Sequence, residues 1–231
     1  MTIDFHAHIL PEVDHGSKSL EESLSQLALI KGNSDKIVAT PHFYPSAHKL
    51  DSFISKVDNA ISLLKENSAT YSGLDISVGA EVLICDYLDR FDGIEQLCIR
   101  GTRCMLLEMP NVGAWSERML KTVENLLDKD FCVVLAHIDR YFKDYRRELD
   151  VLLDMGAKAQ INASSLVPFL SRRRAMSYIK GDSVYAFGSD LHRALPGSYG
   201  NFMKIESTVG TELYEAVMCR TAELIKNAQI I

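Results

Sequence analysis

Hydrophobic and polar positions fall in alternating blocks along this chain. Short apolar runs lie near residues 2–5, 36–40, 75–80, 104–108, 131–136, 158–162 and 184–188, each rich in Val, Ile, Leu, Cys or Ala and bounded by turn or helix-start residues. Their length and composition predict seven strands. Longer stretches with helical spacing fill the gaps at 19–32, 50–67, 115–129, 141–155, 165–180 and 210–228, the first opening on a capping-box arrangement of Ser19 with Glu22. Such alternation predicts a parallel α/β fold. No repeat, low-complexity tract or Pro/Gly/Ser-rich linker interrupts it, so residues 1–231 are expected to form a single domain. Periodicity alone leaves two architectures open, a closed or nearly closed barrel and an open doubly wound sheet.

The polar residues favour the barrel. Read through their strand ends, the runs are IDFHAH, VATPHF, SVGAE, MLLE, VVLAH and AFGSDLH, so six strands deliver His6, His8, His42, Glu81, Glu108, His137, Asp190 and His192 to one end. A barrel mouth converges such groups, whereas an open sheet spreads them along a crevice. In the first strand Asp4, His6 and His8 are spaced by two and share one face. Two imidazoles there can chelate one cation, with Asp4 as a candidate for orienting an imidazole. Alone, an H-x-H is weak evidence, since strand histidines are often merely hydrogen-bonded; with five further strand ends it predicts a metal centre.

Other residues carry blander readings. His48 reads as solvated loop. Asp14 and His15 are adjacent, and one of them is a bystander. Glu81 alone would read as a strand-end ion pair, and Glu108 as a costly near-buried carboxylate unless a partner meets it. Phe43, Tyr44 and Trp115 either line an aromatic-accepting cleft or cover the barrel end.

Charge and cysteine content narrow the function classes. Lys and Arg total 25 against 31 Asp and Glu, a formal net charge of −6, so the chain as a whole has no electrostatic reason to condense on nucleic acid or anionic lipid. Five scattered cysteines without C-x-x-C spacing argue against a disulfide framework and a thiolate zinc site, and suit a reducing cytoplasm. The N-terminus MTIDFHAHILPEVDHG lacks the basic and apolar regions of a signal peptide, and no apolar run approaches a membrane span of about 18 residues. No phosphate-binding glycine loop, G-x-S-x-G elbow or C-x5-R motif appears, which argues against a covalent cysteine mechanism.

Taken in order, Asp4-x-His6-x-His8, Asp14-His15-Gly16, Thr40-Pro41-His42, Gly79-Ala80-Glu81, Leu107-Glu108, Ala136-His137-Ile138-Asp139-Arg140-Tyr141 and Ser189-Asp190-Leu191-His192 resemble the PHP (polymerase and histidinol phosphatase) family. Within it, H-I-L-P-x-x-D-x-G followed by the A-H-I-[ED]-R-Y block is similar to bacterial CpsB/CapC/YwqE-type tyrosine-protein phosphatases. The likeness runs from Ile3 to about His192. Two departures stand out. His15 replaces the second Asp of the usual D-D-G, and Arg193 follows His192 directly where an arginine is often found several residues later.

That resemblance implies a distorted (β/α)7 TIM-like barrel of the PHP type with three divalent metal ions at its mouth, Mn being expected and Fe, Zn or Co compatible with mixed N/O ligands. His6, His8, Glu81 and Asp190 would hold the first metal, and Glu81, Glu108 and His137 the second, with Glu81 bridging. Asp14, His42 and His192 would hold the third. Arg140 would contact substrate phosphate, and Asp14, His15 or His192 are candidates for acid assistance. The implied activity is metal-dependent hydrolysis of phosphotyrosine by a metal-bridging hydroxide. The implied partner is a bacterial tyrosine autokinase of capsule or exopolysaccharide synthesis. Three other readings compete: a small-molecule phosphomonoesterase of the histidinol-phosphatase type, an amidohydrolase-like C–N hydrolase, and a non-catalytic metal-containing module. The second usually needs a bridging lysine on a central strand, and none lies at 104–108.

Overall fold

The computed structural model describes residues 1–231. All seven expected strands form, and two of them are interrupted. A three-stranded parallel sheet contains β1 (Ile3–Ala7), β2 (Lys36–Ala39) and β4 (Asp75–Val78). A six-stranded parallel sheet contains β3 (His42–Phe43), β5 (Glu81–Leu83), β6 (Cys104–Glu108), β7 (Cys132–Leu135), β8 (Lys158–Asn162) and β9 (Val184–Gly188).

β3 continues β2 beyond Thr40-Pro41, and β5 continues β4 beyond Gly79-Ala80. Pro41 has no N–H to offer a ladder, so the strand must break there. At the second break the backbone passes close to Ile99, where a Cβ on Gly79 would stand 3.0 Å from the Ile99 side chain. The Thr40 amide donates to Ala7 O at 2.9 Å, that of Gly79 to Ala39 O at 2.9 Å and that of Glu81 to Pro41 O at 3.0 Å, carrying the ladder across both breaks. The ring closes where the Asp190 amide donates to His6 O at 2.8 Å and the His8 amide to Leu191 O at 3.0 Å. Counting each broken pair once gives a distorted seven-stranded parallel barrel of the expected class.

The helices are α1 (Leu20–Ile30), α2 (Leu50–Glu66), α3 (Glu117–Asp128), α4 (Arg146–Asp154), α5 (Phe169–Lys180), α6 (Ile205–Val209) and α7 (Thr211–Leu224). Ser19 caps α1 by accepting from the Glu22 amide at 3.1 Å, while the Glu22 carboxylate returns to the Lys18 amide at 2.8 Å and not to Ser19 itself. Two helices start later than their periodicity predicts, because 3₁₀ turns at Ile138–Tyr141 and Ala163–Leu166 occupy the segments before them. Between β5 and β6 the crossover is made of 3₁₀ turns alone, Leu88–Arg90 and Ile94–Leu97.

Alternation on β1 shows how the core and the site share one strand. Ile3 and Phe5 face one way and Asp4 and His6 the other, all four fully buried. Asp4 departs from the orienting role open to it in the sequence: its Oδ1 accepts from the backbone amides of Ser189 (2.9 Å) and His6 (3.3 Å), so it ties β1 to the end of β9 and touches no imidazole. Nearer the mouth, the buried Tyr141 hydroxyl donates to Met109 O at 2.8 Å and accepts from Met109 N at 3.0 Å, pinning the loop after β6. Replacing Tyr141 with Phe leaves both buried backbone groups unpaired. A loss of about 1–3 kcal/mol in unfolding free energy is expected, read from urea denaturation at an unchanged m-value.

Candidate metal centre

Six strand ends contribute to one cluster. His6 and His8 come from β1 and its extension, His42 from β3, Glu81 from β5, Glu108 from β6, His137 from the end of β7, and Asp190 and His192 from the turn after β9. The Glu81 carboxylate lies at the centre. Its Oε2 is 3.2 Å from His6 Nε2, 3.3 Å from His8 Nε2 and 2.9 Å from His42 Nδ1, and its Oε1 is 2.7 Å from His137 Nε2. Asp190 Oδ1 stands 3.6 Å from His6 Nε2 and 3.3 Å from His8 Nε2, while Glu108 Oε1 is 3.6 Å from His137 Nε2.

Hydrogen bonding assigns the imidazole tautomers. His6 Nδ1 meets Gln160 Oε1 at 3.2 Å, and His8 Nδ1 meets Asp14 Oδ2 at 2.7 Å. Both acceptors call for an N–H, so both Nε2 lone pairs point inward, and they face each other at 3.1 Å. Two lone pairs at that distance repel unless a proton or a cation lies between them. Ligand atoms held at about 2.0–2.2 Å from a common cation stand roughly 3–3.5 Å apart, which is the spacing found among His6, His8 and Glu81. A second sign is His42 Nδ1, which approaches Glu81 yet lacks the alignment of a hydrogen bond and is left buried without a partner. Three groups have ligand atoms close enough to share an ion: His6, His8 and Glu81; His42, Glu81 and Glu108; and His8, His42 and His192. The residues fit divalent cations.

His137 and Asp190, expected as ligands of the second and first ions, lie outside these groups, and so does Asp14. Besides His8, its Oδ2 accepts from the His42 amide at 2.8 Å and its Oδ1 from the Gly16 amide at 2.8 Å, so every contact fixes a neighbour's position. His15 is exposed, its ring stacked on His42 at 4.5 Å and beside His192 at 4.8 Å. Arg140 spans the mouth, donating to Asp190 Oδ2 at 2.8 Å and to Glu108 Oε1 at 3.4 Å with about a third of its side chain exposed. Arg193 instead donates to the carbonyls of Gly16 and His192 and braces the first loop.

β8 supplies residues that sequence reasoning missed. Gln160 Oε1 also accepts from the His137 amide at 2.6 Å, Gln160 Nε2 donates to Asn162 Oδ1 at 2.9 Å, and Asn162 Nδ2 donates to Asp190 Oδ2 at 2.8 Å. A Cβ on Gly188 would come within 2.6 Å of both Gln160 Nε2 and His6 Cβ, so only glycine lets β9 pass this chain of amides. The signal was present in the sequence as two amides spaced by two on an otherwise apolar strand. Of the three aromatic residues considered for a cleft, only Tyr44 reaches the cluster, its ring 5.4 Å from that of His42. Phe43 is buried against Phe53 and Phe91, and Trp115 stacks on Tyr145 and donates to Pro110 O. His48 is not solvated loop, because its Nδ1 accepts from the Tyr44 amide at 3.1 Å.

Burial opposes charge throughout the cluster, and its charged partners overcome that cost in part. Burial would raise Glu81 and Asp190, but neighbouring imidazoles hold both well below the usual carboxylate range; Asp14 is lowered likewise by His8. Burial would lower His6 and His8, and the carboxylates raise both, His8 strongly. His192 goes down to about 4, first through burial and then through His8. Burial also lowers His137, despite Glu81. His137 and Asp190 both adopt left-handed backbone, at φ 31° and 54°, a conformation that costs a non-glycine residue roughly 1–2 kcal/mol.

The family model described as capsular polysaccharide synthesis, CpsB/CapC, matches residues 2–226. The chain belongs to the CpsB/CapC family. Among family relatives, it is 30% identical over 203 residues to a putative tyrosine-protein phosphatase CapC of Staphylococcus aureus, covering 82% of this chain and 76% of that protein. It is 28% identical over 208 residues to the tyrosine-protein phosphatase CpsB of Streptococcus pneumoniae, covering 82% of each. Its fold resembles a structure described with YwqE from Bacillus subtilis and CpsB from Streptococcus pneumoniae as metal-dependent tyrosine phosphatases, with a TM-score of 0.79, 22% identity and coverage of 99% and 96%. A histidinol phosphate phosphatase from Lactococcus lactis, complexed with zinc, L-histidinol and phosphate, shares the fold at a TM-score of 0.58 and 11% identity, with coverage of 96% and 93%.

Two outcomes are expected for cation binding. Asp14, Glu81 and Asp190 are held below the usual carboxylate range, burial raises Glu108, and the carboxylates raise His6 and, more strongly, His8, so protons compete with a cation for these imidazoles. A cation must expel those protons, so affinity rises with pH through the neutral range. Calorimetry of Mn²⁺ binding in buffers of different ionisation enthalpy should show proton release. Replacing Gln160 with Ala frees His6 Nδ1 and should weaken binding about 10- to 100-fold in competition with a chromophoric chelator.

Proposed function

We propose that this chain is a metal-dependent protein-tyrosine phosphatase acting as one unit over residues 1–231. The observation that carries the reading is the buried Glu81 carboxylate ringed by four imidazoles, with the Arg140 guanidinium lying across the open side. We assign His6, His8, Glu81 and Asp190 to a first cation, Glu81, Glu108 and His137 to a second, and His42 and His192 with Asp14 or His8 to a third. Manganese is the expected ion, since the mixed N/O donor set suits it. Bound there, divalent cations lower the pKa of water toward neutrality and neutralise phosphate oxygens.

This chain's own residues do the rest. Arg140 is tethered by Asp190 and Glu108 with part of its fork left over, which suits bidentate contact with two phosphate oxygens at the mouth. Asp14 holds His8 in one tautomer and fixes the His42 amide, and Gln160 does the same for His6 and His137. A tyrosine leaves as a phenolate of pKa about 10 and asks less of a general acid than an alkyl alcohol does. Tyr44, against His42 on the rim, offers an aromatic surface to that ring.

The phosphotyrosyl protein is taken to be a bacterial tyrosine autokinase of capsule or exopolysaccharide synthesis, a reading supported by the family and by the relatives' names. Five cysteines, all free, support work in a reducing compartment such as the cytoplasm. No helix is long and apolar enough to cross a membrane.

Phosphate release should be compared for a phosphotyrosyl peptide, a phosphoseryl peptide and histidinol phosphate, with Mn²⁺ and after chelation. Preference for the phosphotyrosyl peptide and loss on chelation are expected; preference for histidinol phosphate would overturn the assignment. Arg140→Ala should lower turnover by about 10²- to 10³-fold while bound metal stays unchanged. Loss of metal in that variant would instead make Arg140 a structural brace.

A further inference from the structure

Helix α5 carries its positive charge at the unfavourable end. Arg172, Arg173 and Arg174 follow closely on its start at Phe169, its first turn holds no acidic residue, and Pro168 gives no side-chain cap. The exposed amides at a helix start repel cations, so this placement weakens the helix. α1 and α3 follow the opposite rule, with Glu21 and Glu22 in one first turn and Glu117 in the other. The whole of α5, FLSRRRAMSYIK, has four basic residues and no acidic one, in a chain of net charge −6. None of the three arginines makes an ion pair, whereas Arg146 at the start of neighbouring α4 reaches Asp150 in its own helix.

Apolar surface is uncovered beside them. Val167, Phe169 and Leu170 are 63%, 67% and 68% exposed, where the segment that follows β8 runs into the first turn of α5. That segment begins at Asn162, whose amide holds Asp190 in the metal cluster, so it forms part of the mouth's rim. From Phe169 a groove of about 430 Å³ follows α5, lined by Arg172, Arg173, Met176 and Lys180 with Thr208 of α6 opposite. Fold stability explains neither the charge nor the exposure.

We propose that this groove binds an acidic stretch of polypeptide flanking the phosphotyrosine, with Phe169 taking an apolar side chain at the rim and Arg172 and Arg173 taking carboxylates. The inference rests on the phosphotyrosyl-protein reading. A polypeptide fits better than a bilayer because the basic side chains line a concave track leading away from the mouth, which an extended segment can follow and a flat membrane cannot. The partner's acidic residues supply the counter-charge that α5 lacks.

The test compares kcat and KM, with Mn²⁺ bound, for a phosphotyrosyl peptide flanked by Asp and Glu and one flanked by Ala and Gln, beside p-nitrophenyl phosphate. The acidic peptide should have the lower KM by about tenfold at low salt, an advantage that shrinks at 0.5 M salt. The triple variant R172A/R173A/R174A should lose that advantage while kcat and p-nitrophenyl phosphate turnover stay unchanged and circular dichroism shows an intact fold. Equal KM values for the two peptides with the unaltered protein, or an unchanged advantage in the variant, would overturn the proposal. Fluorescence anisotropy of the acidic peptide without its phosphate reads docking apart from turnover. Binding lost in the triple variant supports the groove even if no phosphotyrosyl substrate is hydrolysed, and absence of binding rejects it. Arginine-dependent sedimentation with phosphatidylglycerol vesicles, without a peptide preference, would assign the patch to lipid and overturn the proposal as well.

Discussion

The Glu81 carboxylate, 1% exposed and in contact with four imidazoles, is the constraint on which the mouth of this barrel depends. An uncompensated buried carboxylate costs several kcal/mol, so its surroundings must be fixed in position and rich in compensating charge. The broken strands provide the position. Because the chain bends at Thr40-Pro41 and again at Gly79-Ala80, β3 and β5 pair with His42 directly opposite Glu81 in register. Unbroken strands would carry both side chains along the line of the lower sheet. Closure of β9 on β1 through the Asp190 and His8 amides then brings Asp190 against His6 and His8 and stacks His192 on His8 from the other side.

Support for this arrangement comes from outside the cluster, and much of it is amide chemistry. Gln160 and Asn162 link His6, His137 and Asp190 in one run of hydrogen bonds, each amide oriented by having both ends engaged. The same run lets two residues stay in left-handed backbone. His137 is held through its N–H by Gln160, and Asp190 through its N–H by His6 O and its carboxylate by Asn162. Local strain at these positions is thus outweighed by bonds that also aim the side chains, an arrangement expected of a site whose geometry matters more than its stability.

Strand existence was legible in the sequence because parallel strands buried on both faces leave nearly continuous apolar runs. Residues that converge at the mouth were legible for a related reason: a His, Asp or Glu at the end of such a run has few other places to go. Less could be read where local pattern is silent about distance. Nothing in the 36–40 or 75–80 runs marks a strand that resumes after its break, since two- and three-residue strands carry no period. Asp4 and Asp14 illustrate the same limit. Both are carboxylates near a histidine in sequence and both accept from backbone amides, yet only Asp14 also holds an imidazole. The amides of β8 were passed over because uncharged Gln and Asn announce no chemistry of their own, although each makes several of the bonds that position the charged groups.

Charge at the mouth sets the final condition. Asp14, Glu81, Glu108 and Asp190 face a single guanidinium, Arg140, and the imidazoles whose burial lowers them, His137 and His192, add no compensating charge. The acidity of the whole chain, −6, is therefore repeated at the one place where an anionic substrate would have to enter. A phosphate ester approaching these side chains alone would be repelled. Each divalent cation accommodated by the cluster adds two positive charges in a partly dehydrated setting and removes the proton competition for the same nitrogens. The ligand set and the substrate charge are thus two sides of one requirement. An acidic barrel can receive phosphate at its mouth only if the residues gathered there first gather metal, and Arg140, tethered by two of the same carboxylates, is placed where it can act once they are neutralised.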